Sequence, residues 1–116
     1  MADVSSIHIY PAKGEPGQEL DDVSVSAEGL DGDRRKGAPV HLVSVAAYVE
    51  EHPRANLVLD LDGDELTALI GRRLRIGSVE LEVTGPAKNC PGVYAVVPVP
   101  GDIAVGDEVT VGVAGP

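Results

Sequence analysis

The stretch Thr84-Gly85-Pro86-Ala87-Lys88-Asn89-Cys90-Pro91-Gly92 concentrates the chemistry open to this chain. Cys90 is its one cysteine. A thiol works as the thiolate, which is both a nucleophile and a ligand for a soft metal. An unperturbed cysteine has a pKa of about 8.5, so a nearby cation raises the thiolate fraction, and Lys88 supplies one two residues earlier. Pro86 and Pro91 bracket the turn and stiffen its backbone, which predicts a thiol displayed on a loop at a fixed place. The opposing reading is a cysteine packed inside as a small hydrophobe. The flanking Pro, Gly, Lys and Asn favour display.

A displayed thiolate next to cations suits an anionic guest. The net charge is −10, yet six of the nine cations, Lys13, Arg34, Arg35, Lys36, Arg54 and Lys88, fall in or beside segments that read as loops or strand ends. Gathered at one end of a barrel, they would make a local anion site within a repelling surface. Scattered solvated charges are the plain alternative. Arg72, Arg73 and Arg75 form a second group. Residues 28–37 combine three glycines with charges of both signs, the composition of a solvated loop and also of a backbone that lets a ligand come close. Nucleic acid is excluded as a partner, because phosphate binding rests on an excess of Lys and Arg, and base stacking needs aromatics that are scarce here.

These groups must be positioned by short strands. Residues 7–10 (Ile-His-Ile-Tyr) alternate and stop at Pro11. Val23 and Val25 mark a strand over 20–26, and residues 40–43 a third. Ser44 is placed to cap a helix over 45–51 that His52-Pro53 ends. Residues 56–59 suit a buried strand, and Asp64 is placed to cap a helix over 65–70 closed by Gly71. Residues 74–76 and 79–84 flank Gly77-Ser78 as a hairpin leading to the cysteine loop. Residues 94–99 read as a strand, followed by a turn near Gly101 and a last strand ending at Val111. Seven or eight short strands with two short helices predict a mainly β, closed or nearly closed barrel, since closure removes exposed edges.

Composition agrees. At 116 residues the chain is expected to be one domain. Apolar residues make up 43%, but there is no Phe or Trp and only three Tyr, so the core must be aliphatic. A single cysteine forms no internal disulfide, and the CxxC pattern of a zinc site is absent, which fits a reducing, cytoplasmic location. No segment has signal-peptide character or the roughly 20 apolar residues of a membrane span.

In this order the signals resemble the MOSC domain family, named for the C-terminal domain of molybdenum cofactor sulfurases. The resemblance runs almost end to end: Ile7-His8-Ile9-Tyr10-Pro11 with Lys13-Gly14, Gly29-Leu30-Asp31-Gly32-Asp33-Arg34, Arg54-Ala55-Asn56-Leu57, Leu69-Ile70-Gly71, Leu74-Arg75-Ile76-Gly77, Glu82-Val83-Thr84-Gly85-Pro86 before Cys90, and Ile103-Ala104-Val105-Gly106-Asp107-Glu108-Val109. It implies a small stand-alone barrel that binds the pterin-based molybdenum cofactor, molybdopterin, or carries sulfur for it, with Cys90 as persulfide carrier or molybdenum ligand. It further implies that Asp33 and Arg34 lie near the cysteine, that Arg34 contacts an anion such as the pterin phosphate, and that Arg54, Asn56, Lys13 and Lys88 assist. Asp33 bracing the glycine loop and Asn56 holding a turn are the structural alternatives. His8, His41 and His52 carry no role in this reading.

The chain is short for the family and contains no pyridoxal phosphate desulfurase domain. Sulfur would then come from a separate cysteine desulfurase and pass to a molybdoenzyme. So small a pocket is open, is completed by a second subunit of a homodimer, or has lost the cofactor altogether. The runner-up function is a non-catalytic interaction barrel with a structural cysteine. A third, lesser one is a component of a molybdenum-dependent reductase of N-hydroxylated compounds.

Overall fold

The computed structural model describes residues 2–12, 14–34, 38–87 and 91–112. In chain order the elements are β1 (Ala2–Ile9), β2 (Gln18–Leu20), β3 (Asp22–Ser26), β4 (Gly29–Leu30), β5 (Val40–Ser44), α1 (Val45–Glu51), β6 (Leu57–Leu59), α2 (Gly63–Thr67), β7 (Arg73–Ile76), β8 (Val79–Pro86), β9 (Val93–Val99), β10 (Gly101–Ala104) and β11 (Glu108–Val111). Seven strands close a barrel in the order β1, β11, β7, β8, β9, β5, β6 and back to β1. The eighth strand of that sheet, β2, pairs with β1 and, among the described residues, with no other strand. Strands β10, β3 and β4 make a separate small sheet. The mainly β barrel with two short helices expected from the sequence is the observed fold.

Alternation builds the interior. Leu74 and Ile76 on β7, Val79, Leu81 and Val83 on β8, and Val93, Ala95 and Val97 on β9 share one face and pack into a single aliphatic cluster. On β1 the inward residues Val4 and Ile7 stand three apart, which a period of two forbids. A register shift between Val4 and Ser6 absorbs the extra residue and lets both face the core. Apolar side chains buried this way contribute roughly 1.5–3 kcal/mol each before the entropy of ordering is subtracted.

β5 and β6 are buried on both faces. They run parallel, and a parallel neighbour requires a crossover, which α1 provides. Val40, Leu42, Leu57 and Leu59 face the barrel. Val43, Ala55 and Val58 form a second cluster against Val45, Ala47 and Tyr48 of the helix. Ser44 caps α1 as expected, its Oγ accepting from Ala47 N at 3.2 Å, and the helix ends at His52 in a left-handed conformation (φ 47).

Three local expectations change. The helix expected at 65–70 is α2, which starts two residues earlier: Asp62, not Asp64, is its cap, because Asp62 and Glu65 satisfy each other's backbone N–H groups in a capping box. The single strand expected over 20–26 divides at Asp21 into β2 and β3, which join different sheets. Gly29 and Leu30, read as loop, pair with β3; Gly29 has φ +117, and a Cβ there would meet Pro39 O.

Candidate functional site

Asp33 and Asn56, from the glycine-rich loop and the lead into β6, are in contact: Asn56 Nδ2 donates to Asp33 Oδ2 at 3.1 Å. The other carboxylate oxygen of Asp33 accepts from Tyr10 N at 2.7 Å, and Arg34 N donates to Tyr10 O at 3.2 Å. Both backbone groups at the end of β1 are thus bound by residues 33 and 34, which fixes where the Arg34 side chain leaves the loop. Arg34 itself is exposed.

Asn56 has no exposed surface. Its Oδ1 accepts from His41 N at 3.0 Å, and its Nδ2 donates to His8 O at 3.2 Å as well as to Asp33. Its backbone N–H donates to His41 O at 2.9 Å and its carbonyl accepts from His8 N at 2.7 Å. Only the nitrogen end of the amide can donate to a carboxylate and a carbonyl together, so these partners fix the orientation of the side chain. Both Nδ2 hydrogens are used inside the protein. Asn56 therefore joins β1 to β5 and holds Asp33.

Arg54 lies over the Tyr10 ring, its guanidinium carbon 4.4 Å from the ring centroid. Nη1 donates to Glu15 O at 2.9 Å and Nη2 to Ala12 O at 3.3 Å. These bonds fasten the loop on either side of position 13. Burial first, then neighbouring Tyr48, pushes the Tyr10 hydroxyl up to about 12, against the opposing charge of Arg54. Lys13, Lys88 and Cys90 lie outside the described residues.

The ends of the cysteine loop are described. Ala87 N donates to Gly92 O at 3.0 Å, and His41 Nε2 bonds Pro91 O at 2.8 Å. Gly92 has φ +98, and a Cβ there would meet the carbonyl oxygen of Leu42. The structure thus joins Tyr10, Asp33, Arg34 and Asn56 by hydrogen bonds, sets Arg54 over the Tyr10 ring, and links the group through Asn56 and His41 to Pro91, the sequence neighbour of Cys90. His8 and His41 have parts that sequence reasoning missed. The available signal was their place: each is a lone polar ring inside an aliphatic strand, where burial demands a partner.

Two members of the second cation group, Arg73 and Arg75, are paired within the fold. Arg73 faces Glu82 and Arg75 faces Glu80 across the β7–β8 hairpin. Side-chain contacts run at 3.9 Å from Arg73 to Glu80, 3.8 Å from Arg73 to Glu82 and 3.6 Å from Arg75 to Glu80. Exposed pairs of this kind contribute about 0–1 kcal/mol. Among the described residues, no group of three or more His, Cys, Asp or Glu side chains is placed to hold a metal ion, and no helix is long and apolar enough to cross a membrane.

No family model and no curated protein sequence matches the chain. Solved structures do. YuaD from Bacillus subtilis superposes with a TM-score of 0.77 at 18% identity, over 95% of this chain and 94% of its own. YiiM from Geobacillus stearothermophilus gives 0.73 at 14% identity, over 97% and 75%. YiiM from Escherichia coli gives 0.67 at 15% identity, over 97% and 68%. The shared feature is the fold, a small closed β-barrel.

Proposed function

We propose that this chain is a molybdenum-cofactor-binding or sulfur-carrier module in which Cys90 carries a persulfide sulfur or ligates molybdenum. The observation that supports this reading most is the meeting of Asp33, Arg34, Arg54 and Asn56, from two separate segments, around Tyr10, with Arg54 over its ring and the others joined by hydrogen bonds that run on through His41 to Pro91, the neighbour of Cys90. Those segments are the ones in which the sequence resembles the MOSC family, and the neighbours in fold are MOSC-like barrels.

The residue types fit the cofactor. A thiolate is a soft ligand suited to molybdenum, and the exposed guanidinium of Arg34 suits the pterin phosphate. When bound, the cofactor would supply the redox and sulfur-accepting chemistry. The chain's own share is to orient: Asn56 holds Asp33, Asp33 holds the end of β1, and Arg54 holds the loop containing position 13. In the carrier role, the Cys90 thiolate attacks the outer sulfur of a persulfide on a cysteine desulfurase. One S–S bond forms as the donor's S–S bond breaks, and the donor leaves as its own thiolate. An even number of electrons moves with the sulfur, so no further oxidant is needed. A molybdoenzyme then accepts the sulfur.

The test is to incubate the purified protein with a cysteine desulfurase and cysteine and to read intact mass, and separately to assay molybdenum and pterin in protein from a host that makes the cofactor. A gain of one sulfur, or bound molybdenum, that disappears in Cys90→Ser supports the reading. Neither signal in the wild type, with Cys90→Ser indistinguishable, ends it. The interaction-barrel alternative, with Cys90 packed away, is separated by thiol titration: a buried thiol reacts only after unfolding.

A further inference from the structure

The chain has three Tyr, three His, no Phe and no Trp. None of those rings enters the main core cluster, which is aliphatic. Four of the six, Tyr10, Tyr48, His8 and His52, instead line one cleft of about 340 Å³ on the α1 side of β1. His8 and Tyr48 stack with centroids 4.9 Å apart, and His52 meets Tyr48 edge-on at 5.7 Å. Gly17 also lines it, and a Cβ there would run into the Tyr10 ring, so the chain entering β2 lies flat against that ring only as glycine. His52 is the one non-glycine with positive φ among the described residues, held by its N–H bond to Tyr48 O and followed by Pro53.

The cleft also holds an uncompensated cation. Arg54 spends its two described hydrogen bonds on backbone carbonyls, and among the described residues no carboxylate pairs with it, whereas Arg73 and Arg75 are paired. An arginine has five N–H donors, so donors and full charge remain for a guest. Glu19, which acts on His8, adds a negative charge to the lining beside that ring. A guest with a single negative charge must therefore direct it toward Arg54. Ligand clefts run from roughly 300 to 1,000 Å³, which makes this one fit for a single ring.

We propose that this cleft binds a small aromatic acid, one planar ring bearing one carboxylate, with the ring against Tyr48 and His8 and the carboxylate at Arg54. The site goes beyond the cofactor reading and does not depend on it. Stacking on aromatic faces supplies ring selectivity and the guanidinium supplies charge selectivity.

The test titrates the full chain, as purified, with benzoate, benzamide and cyclohexanecarboxylate while following the His and Tyr ring resonances by NMR. Benzoate should shift His8, His52 and Tyr48 saturably. Benzamide, which lacks the charge, and cyclohexanecarboxylate, which lacks the aromatic face, should bind about fivefold more weakly. Arg54→Gln should bring benzoate down to the benzamide level and leave benzamide unchanged. Tyr48→Leu should abolish the preference for benzoate over cyclohexanecarboxylate. Because Tyr48 also packs α1 against Val43, Ala55 and Val58, His52→Asn, which tolerates the left-handed backbone, is the second variant and should weaken benzoate about twofold. Cys90→Ser should bind benzoate as wild type does, so the thiol reading and this one fail separately. No saturable shift at those rings, equal affinity for all three probes, or loss of benzoate binding in Cys90→Ser would each overturn the proposal.

Discussion

His41 Nε2 donates to the carbonyl oxygen of Pro91 at 2.8 Å. A carbonyl only accepts, so this nitrogen carries the proton. The ring is fixed from behind, because both backbone groups of His41 bond to Asn56. Removing the imidazole should release the end of the cysteine loop without breaking the strand. In His41→Ala the amide of Ala87, whose acceptor is Gly92 O, should exchange with solvent about tenfold faster than in wild type. Glutamine places an amide N–H near the position of Nε2, so His41→Gln should restore most of the protection. Equal exchange in all three proteins would show that the bond does not hold the loop.

Asn56 is buried and spends its side chain on three hydrogen bonds, so replacing it is costly. Asn56→Leu would leave the His41 N–H and the Asp33 carboxylate without a partner they now have, at about 1–3 kcal/mol for each buried group stranded, so urea unfolding should show a loss of about 3 kcal/mol. Asn56→Asp is the sharper probe. It sets a carboxylate against the Asp33 carboxylate where a donor stood, and it should be less stable than Asn56→Leu at neutral pH. Acidification below about pH 5 should recover part of that loss relative to wild type, as the pair takes up a shared proton. A variant whose deficit stays constant with pH would contradict the Asn56–Asp33 contact.

The barrel itself was legible because alternation writes it directly: β7, β8 and β9 each bury every second residue, and Gly77-Ser78 sits between the two strands of a hairpin. What escaped the sequence is pairing at a distance. Nothing local in residues 20–26 says that β2 and β3 belong to different sheets, because that depends on which neighbours are near. The capping box at Asp62 escaped for the opposite reason: Asp62 and Asp64 are both good caps, and only the reciprocal bond from Glu65 decides. At the site, motif resemblance picked out Asp33, Arg34, Arg54 and Asn56, which the fold does bring together. The histidines were passed over, since a lone histidine in a strand gives no sign of what faces it.

Gly92 should be among the least replaceable residues of the loop. A Cβ there meets the Leu42 carbonyl oxygen, and φ is +98; both must give way in Gly92→Ala. Gly106 is the internal control, with φ +92 and nothing within 4 Å of a Cβ. Gly106→Ala should cost only the conformational strain, about 1 kcal/mol, and Gly92→Ala at least about 2 kcal/mol. Thermal or urea unfolding of the two variants measures the difference, and equal losses would mean that the close approach to β5 does not constrain the loop.

Two ionisations give stability opposite slopes at the two ends of the pH scale. Burial lowers the His8 pKa below its ordinary 6.5, with Glu19 opposing, so the folded protein prefers neutral imidazole. Between the folded value and about 6.5 the unfolded chain binds more protons, so this contribution is complete above about 6.5 and declines as pH falls through that range. Glu19→Gln removes the opposing charge and should carry the His8 titration, followed by NMR, further down. Tyr10 works in reverse, since the fold retains its proton up to about 12 against an ordinary 10.0. The unfolded chain loses that proton first, so stability is held below about 10 and lost as pH rises toward about 12. Arg54 is the one influence that lowers this value. In Arg54→Gln the phenolate absorbance of Tyr10 should therefore appear at still higher pH than in wild type. A downward movement would mean that the guanidinium does not act on that ring.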